Sequence, residues 1–349
     1  MDALTDLTAG QDTVGNWLET CSPTLNPQVL GPNSRGCATK AAAVGVDWAI
    51  AGQSMESTHE WAMPLNLVAA AEREGRRGWL TTLPATIRHL EARWSIQVEG
   101  PFQPGGQTAW VGPVRRDDEN LVVKVLWRHP EAEGEVDGLS AWDGSGAVRL
   151  HAALEVDSDT TALLLERCRP GTALTTLSEA DQDLVVAGLL QRLWIEPPAG
   201  HQFRPLCTMC DLWADEFEEK TAGSANVGPK LDPGLVREGI ALFRELPGNA
   251  ERKVLLCTDL HAANVLAAER EPWLVIDPKP YVGDPTYDAL QHVLNCDVRL
   301  HADPQGLARR MADLLGLDAD RLVLWLFARC VQESPEWPGL AEVASKLAP

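Results

Sequence analysis

Residues Val254 to Tyr287 read VLLCTDLHAANVLAAEREPWLVIDPKPYVGDPTY. Two short apolar runs, Val254-Leu255-Leu256 and Trp273-Leu274-Val275-Ile276, flank a polar loop, and each is followed by an aspartate, Asp259 after a short gap and Asp277 directly. Buried strands that end in carboxylates deliver charge to a fixed place, which is how a site is built.

The spacing narrows the chemistry. Asn264 follows Asp259 by five residues, the interval between the aspartate and asparagine of a kinase catalytic loop, and Asp277 opens a later turn as a metal-holding aspartate does. In such a site Asp259 orients or takes the proton of an acceptor hydroxyl. Asn264 and Asp277 offer the hard oxygen ligands that Mg2+ prefers on nucleotide phosphates. The alternative is a turn whose aspartates only cap helices.

The motifs Asp259-Leu260-His261, Asn264-Val265-Leu266, Ile276-Asp277-Pro278-Lys279 and Val282-Gly283-Asp284-Pro285 with Tyr287-Asp288 resemble those of the aminoglycoside and hydroxyurea phosphotransferases, in particular the streptomycin 6-kinase branch. The resemblance runs from about Gly78 to the C-terminus. It departs at Cys257-Thr258, where the family usually has His-Gly. It implies ATP and Mg2+ as cofactors and a small, cationic acceptor such as streptomycin. Alternatives are hydroxyurea or another small metabolite as acceptor, or a degenerate member that binds nucleotide without transferring phosphate.

Working outward, Leu121-Val122-Val123-Lys124-Val125-Leu126-Trp127 sets one lysine in an apolar run. A buried ammonium needs a partner, and in kinases this lysine holds the α and β phosphates and pairs with a helix glutamate. Glu135, with Leu139 and Trp142 at helical spacing behind it, is the expected partner, ahead of Glu131 and Glu133. Upstream, Trp94 to Val98 and Thr108 to Val114 read as strands around a loop containing Gly105 and Gly106. In such a loop missing side chains let backbone N–H groups approach phosphates, although a plain hairpin gives the same signal. Ala162 to Leu165 is a further buried strand. Glu166 and Cys168 then fall where a kinase-like hinge meets adenine through its backbone.

Helices are expected over Leu65–Arg77, Leu83–Arg93, Ser178–Leu193, Cys207–Lys220 and Pro233–Leu246. The expected fold is α+β, bilobal and protein-kinase-like, with a small β-rich lobe at 63–167 and a larger, mainly helical lobe at 168–349. Residues 1–62, rich in turn formers without periodicity, read as a loosely ordered extension. In the acceptor region, Asp211, Asp215, Glu216, Glu218 and Glu219 line either a cleft or a solvated helix face. His261 and Lys279 remain open between phosphate contact and positioning, while Asp284 and Asp288 read as helix caps or braces of the catalytic loop.

With 349 residues, 45% of them hydrophobic, the chain has ample material for a core. The formal net charge of −20 argues against nucleic-acid binding. Residues 171–349 hold 16 basic and 27 acidic side chains, a net −11 that suits a cationic partner. No stretch is long and apolar enough for a membrane span and no signal-peptide layout is present, so a cytoplasmic monomer is expected. The eight cysteines are scattered, and Cys207 and Cys210 lack a second pair to complete a zinc site, so reduced thiols are expected.

Overall fold

The computed structural model describes residues 61–222 and 231–349; the expectation for residues 1–60 lies outside these. Two helices come first, α1 (Leu65–Arg73) and α2 (Arg77–Trp94). A five-stranded antiparallel sheet follows: β1 (Gln97–Val98), β2 (Ala109–Arg116), β3 (Glu119–Trp127), β4 (Leu150–Glu155) and β5 (Thr160–Glu166), in the order β1-β2-β3-β5-β4. Helix α3 (Glu135–Trp142) lies between β3 and β4. The remainder is mainly helical: α4 (Glu179–Leu193), α5 (Leu206–Ala222), α6 (Pro233–Glu245), then β6 (Val254–Leu256), β7 (Val265–Ala267), β8 (Trp273–Val275) and β9 (Tyr281–Gly283), and finally α7 (Pro285–Asp288), α8 (Leu290–Asn295), α9 (Asp297–Ala302), α10 (Pro304–Leu315), α11 (Ala319–Glu333) and α12 (Leu340–Leu347). This is a bilobal, kinase-like α+β fold.

Strand β3 occupies the centre of its sheet, with Lys124 opposite Val111 on one side and Leu163 on the other. Both faces are covered, which is why the strand reads as an unbroken apolar run. Leu121, Val123, Val125 and Trp127 pack with Leu67, Trp79, Leu83 and Leu90 of the two N-terminal helices. Val122 and Leu126 face the other way, into the core shared with the helical lobe. Lys124 has the parity of this second set, because successive side chains alternate across a strand.

Several boundaries differ from expectation for identifiable reasons. Helix α2 starts at Arg77 rather than Leu83 and runs through Pro84. Its buried stripe of Trp79, Leu83, Ile87 and Leu90 offsets the missing donor and ring clash of an interior proline. It continues to Trp94 and stops where Ser95 adopts φ 53°, which shortens the expected strand at Trp94–Val98 to Gln97–Val98. Trp61, assigned to the extension, packs its ring 6.1 Å from that of Trp110 and over Gly100, so ordered structure begins ahead of Met63. Ser178 caps α4 instead of opening it, its side chain accepting from the Asp181 N–H. Among the described residues, no helix is long and apolar enough to cross a membrane.

Candidate active site

Two short antiparallel pairs, β6 with β9 and β7 with β8, carry the site at their ends. The 257–264 loop connects β6 to β7 and presents Asp259 and Asn264; the 276–280 loop connects β8 to β9 and presents Asp277 and Lys279. The Ile276 N–H donates to Asn264 O at 2.9 Å and the Lys279 N–H to Cys257 O at 2.9 Å, so the two loops are joined at both ends.

One cleft between the sheet and these loops is lined by Gly106, Lys124, Glu135, Glu166, Asn264 and Asp277. Lys124 Nζ donates to both Glu135 oxygens at 2.7 Å and to Asp277 Oδ1. Burial disfavours the charge on Lys124, but Asp277 and Glu135 outweigh it and hold the ammonium protonated. Burial also pushes the Glu135 carboxyl up, with Lys124 as the main opposing influence. Of the other candidate helix partners, Glu133 lies 3.7 Å from Arg204, and the side chain of Glu131 lies outside the described atoms.

Asn264 donates from Nδ2 to Asp259 O at 3.0 Å, which leaves Oδ1 as its oxygen for a cation. Asp277 stands on the same cleft with φ 54°. One amide oxygen and one carboxylate on the same cleft fit Mg2+, which keeps much of its own water. A second polar group, Asp183 with His292 and Cys296, has ligand-type atoms close together. There Asp183 already accepts from Arg299 at 2.8 Å and Arg310 at 2.6 Å, so it is a buried ion cluster that ties α4 to α9 and α10.

Asp259 is buried beside the cleft, with Lys279 Nζ 3.0 Å from its Oδ2. His261 Nε2 stands 3.9 Å from Oδ1, beyond a hydrogen bond, and burial holds its imidazole below the ordinary range. Its Nδ1 instead accepts from the Ala263 N–H at 3.3 Å, a positioning contact within the loop.

Gly105 and Cys168 are not in the cleft lining. A Cβ on Gly105 would sit 2.4 Å from Pro64 Cβ, and its carbonyl accepts from Asn66 Nδ2 at 2.9 Å, so this glycine anchors the loop to the start of α1. Cys168 is buried in the main core, where burial pushes its thiol up to about 12. Glu166 reaches the cleft, but its carboxylate is held by Arg270 at 2.9 and 2.8 Å and its N–H by Arg149 O. Arg270 also donates to Gly144 O and Ala147 O, clasping the β7–β8 hairpin to the sheet. That clasp joins positions more than a hundred residues apart and has no local sequence signature. The apolar cleft walls Val111, Val122, Val148, Leu165 and Ile276 were equally unremarked, although strand alternation could have found the first two. The acidic run on α5 is cross-linked to α6, with Arg244 Nη2 2.7 Å from Asp215 and 3.2 Å from Glu218.

Asp288 braces the 257–264 loop. Its carboxylate accepts from the N–H groups of Cys257 at 3.0 Å and Thr258 at 2.6 Å and from Trp194 Nε1 at 2.9 Å. Burial pushes this carboxyl from its ordinary 3.8 up to about 6, against the pull of those donors. On protonation one oxygen becomes a donor facing another N–H, so the loop loses a brace. Turnover is expected to fall as pH drops through about 6. The limb should be absent from Asp288→Asn, whose kcat should be low throughout. The sign for stability is opposite. Between 3.8 and about 6 the fold keeps a proton that the unfolded chain releases, so this group favours folding at lower pH and loses that contribution as pH rises through about 6. Rate profiles and thermal melts over about pH 5 to 8 separate the two, and a wild-type kcat that stays flat over that range contradicts the brace.

The family model described as aminoglycoside/hydroxyurea antibiotic resistance kinase matches residues 93–338. The chain is 33% identical over 274 residues to a streptomycin 6-kinase of Streptomyces glaucescens, covering 76% of this chain and 86% of the relative. It is 37% identical over 279 residues to a hydroxyurea phosphotransferase of Kitasatospora aureofaciens, covering 77% and 78%. In three dimensions it is similar to a thermostable mutant of aminoglycoside phosphotransferase APH(4)-Ia, solved as a ternary complex with AMP-PNP and hygromycin B. That match has a TM-score of 0.51 at 15% identity and covers 74% of this chain and 94% of the other.

Proposed function

The chain belongs to the aminoglycoside/hydroxyurea antibiotic resistance kinase family, and from that premise we propose that it transfers the γ-phosphoryl group of ATP to a hydroxyl of a cationic small molecule, with an aminoglycoside such as streptomycin as acceptor. The observation that carries this reading is the convergence of Lys124, Glu135, Asn264 and Asp277 on one cleft, with Asp259 beside it.

In this reading residues 63–167 form the nucleotide lobe and 168–349 the catalytic and acceptor lobe, acting as a cytoplasmic monomer. Apolar walls from Val111, Val122, Leu165 and Ile276 take the adenine, with backbone from Glu166 onward at its edge. Gly106 leaves the covering loop open to phosphate, since a Cβ there would meet nothing closer than 3.9 Å. Lys124, fixed by Glu135, holds the α and β phosphates. Asn264 and Asp277 would hold Mg2+, which when bound neutralises phosphate charge. Asp259 aligns the acceptor hydroxyl and receives its proton. Positioning and charge neutralisation supply most of the rate, because a loose phosphoryl-transfer transition state asks little covalent chemistry of the protein.

The net −11 of residues 171–349 supports a cationic acceptor. Hydroxyurea is the second acceptor to test, given the 37% identical relative. Incubation with ATP and Mg2+ across streptomycin, related aminocyclitols, viomycin and hydroxyurea, read by mass spectrometry, is expected to give one added phosphoryl group on at least one of them. Nucleotide binding without product on any acceptor would overturn the transferase reading in favour of a nucleotide-binding protein.

A further inference from the structure

Lys279 is tied to each of the three residues that end in Asp259. Its N–H donates to Cys257 O at 2.9 Å, its carbonyl accepts from Thr258 Oγ1 at 2.5 Å, and its Nζ lies 3.0 Å from Asp259 Oδ2. Thr258 holds φ 51°, the left-handed region in which a β-branched residue is an outlier. Its hydroxyl to Lys279 and its N–H to Asp288 at 2.6 Å together fix it there. Lys124 is divided between Glu135 and Asp277, and Lys279 reaches Asp259. Lys279 and Lys124 line one small cavity with Asp277 and Glu135, next to the cleft that Lys124, Glu135 and Asp277 also line.

We propose that Lys279 is a catalytic residue whose ammonium passes from Asp259 to the equatorial oxygens of the transferring phosphoryl group, and that the Thr258 hydroxyl is what positions it. This rests on the kinase reading above. As the bond from the acceptor oxygen to the γ-phosphorus forms, the bond from that phosphorus to the β,γ-bridging oxygen breaks. The hydroxyl proton goes to Asp259. Lys279 keeps its own protons and donates hydrogen bonds throughout, released from the carboxylate as that carboxylate loses its charge. Charge in a loose transition state is spread over three equatorial oxygens, and a preorganised donor aimed there acts on rate more than on binding.

The test uses the full chain, Mg2+·ATP and an acceptor from the screen. Lys279→Met is expected to lower kcat by about 10²–10³-fold, the effect of removing one such donor, while ADP affinity by calorimetry stays close to wild type. Added ethylammonium should raise kcat of Lys279→Ala and leave wild type unchanged, a response that a structural lysine would not give. Thr258→Val should lower kcat, Thr258→Ser should retain it, and Thr258→Val should have no further effect in the Lys279→Ala background. An active wild type with Lys279→Met within about threefold of it overturns this inference, as does a loss of ADP binding that parallels the loss of kcat. A wild type inert toward every acceptor overturns the kinase reading instead, and this one with it.

Discussion

Asp259→Asn is expected to lower turnover by roughly 10³-fold, in the range for removing a positioned general base, with nucleotide binding left intact. The substitution preserves shape and keeps the backbone carbonyl that accepts from Asn264. It removes the carboxylate charge beside Lys279 and with it the acceptor for the hydroxyl proton. Steady-state rates with the confirmed acceptor and ADP titration of both proteins separate chemistry from binding. Product at the wild-type rate would show that the proton leaves by another route and that Asp259 serves only to hold the loop.

Lys124→Met is expected to be the most damaging change to the fold as well as to function. Lys124 and Glu135 are 8% and 3% exposed, so the methionine leaves two carboxylates, Glu135 and Asp277, around a position that held their ammonium. Breaking a buried pair from one side costs about 3–5 kcal/mol, roughly 10 °C in melting temperature for a protein of this size, and nucleotide affinity falls with it. The deficit should depend on pH. Glu135 is already pushed up by burial, and without Lys124 it rises further, so the fold takes up a proton there that the unfolded chain does not. The variant therefore loses least at low pH and more as pH rises. Adding Glu135→Gln should restore most of the stability and none of the turnover. A double variant no more stable than the single one would mean that the pair does not share a common electrostatic cost.

Legibility followed the range of the interactions. Lys124 stood out because an ammonium inside an apolar run needs a reason, and Asp259 with Asn264 because a five-residue loop leaves a carboxylate and an amide little freedom to separate. Asp288 was readable as a brace from its place after Gly283-Asp284-Pro285. Lys279 was harder. Its meeting with Asp259 depends on the register Leu255 opposite Val282 in a two-stranded pair of three residues each, too short for periodicity to declare itself. Gly105 illustrates the opposite error. A glycine reports that a side chain would not fit, and here the obstacle is Pro64 rather than a phosphate. The departure at Cys257-Thr258 was visible in the sequence, but its effect on the loop was not. In the structure Thr258 takes a left-handed backbone and donates a hydrogen bond across to the Lys279 carbonyl.

The two-sided burial of β3 bears on how the chain avoids a wrong answer while folding. A slip of one residue against β2 or β5 would exchange the two faces, moving Lys124 under α1 and α2 among Trp79, Leu83 and Leu90 and turning Trp127 toward the nucleotide cleft. That arrangement would bury an ammonium in a mainly apolar layer, away from Glu135 and Asp277, at a high cost in desolvation. The helices at the back of the sheet therefore act as proofreaders: only the strand alignment that brings Lys124 to Glu135 allows them to close.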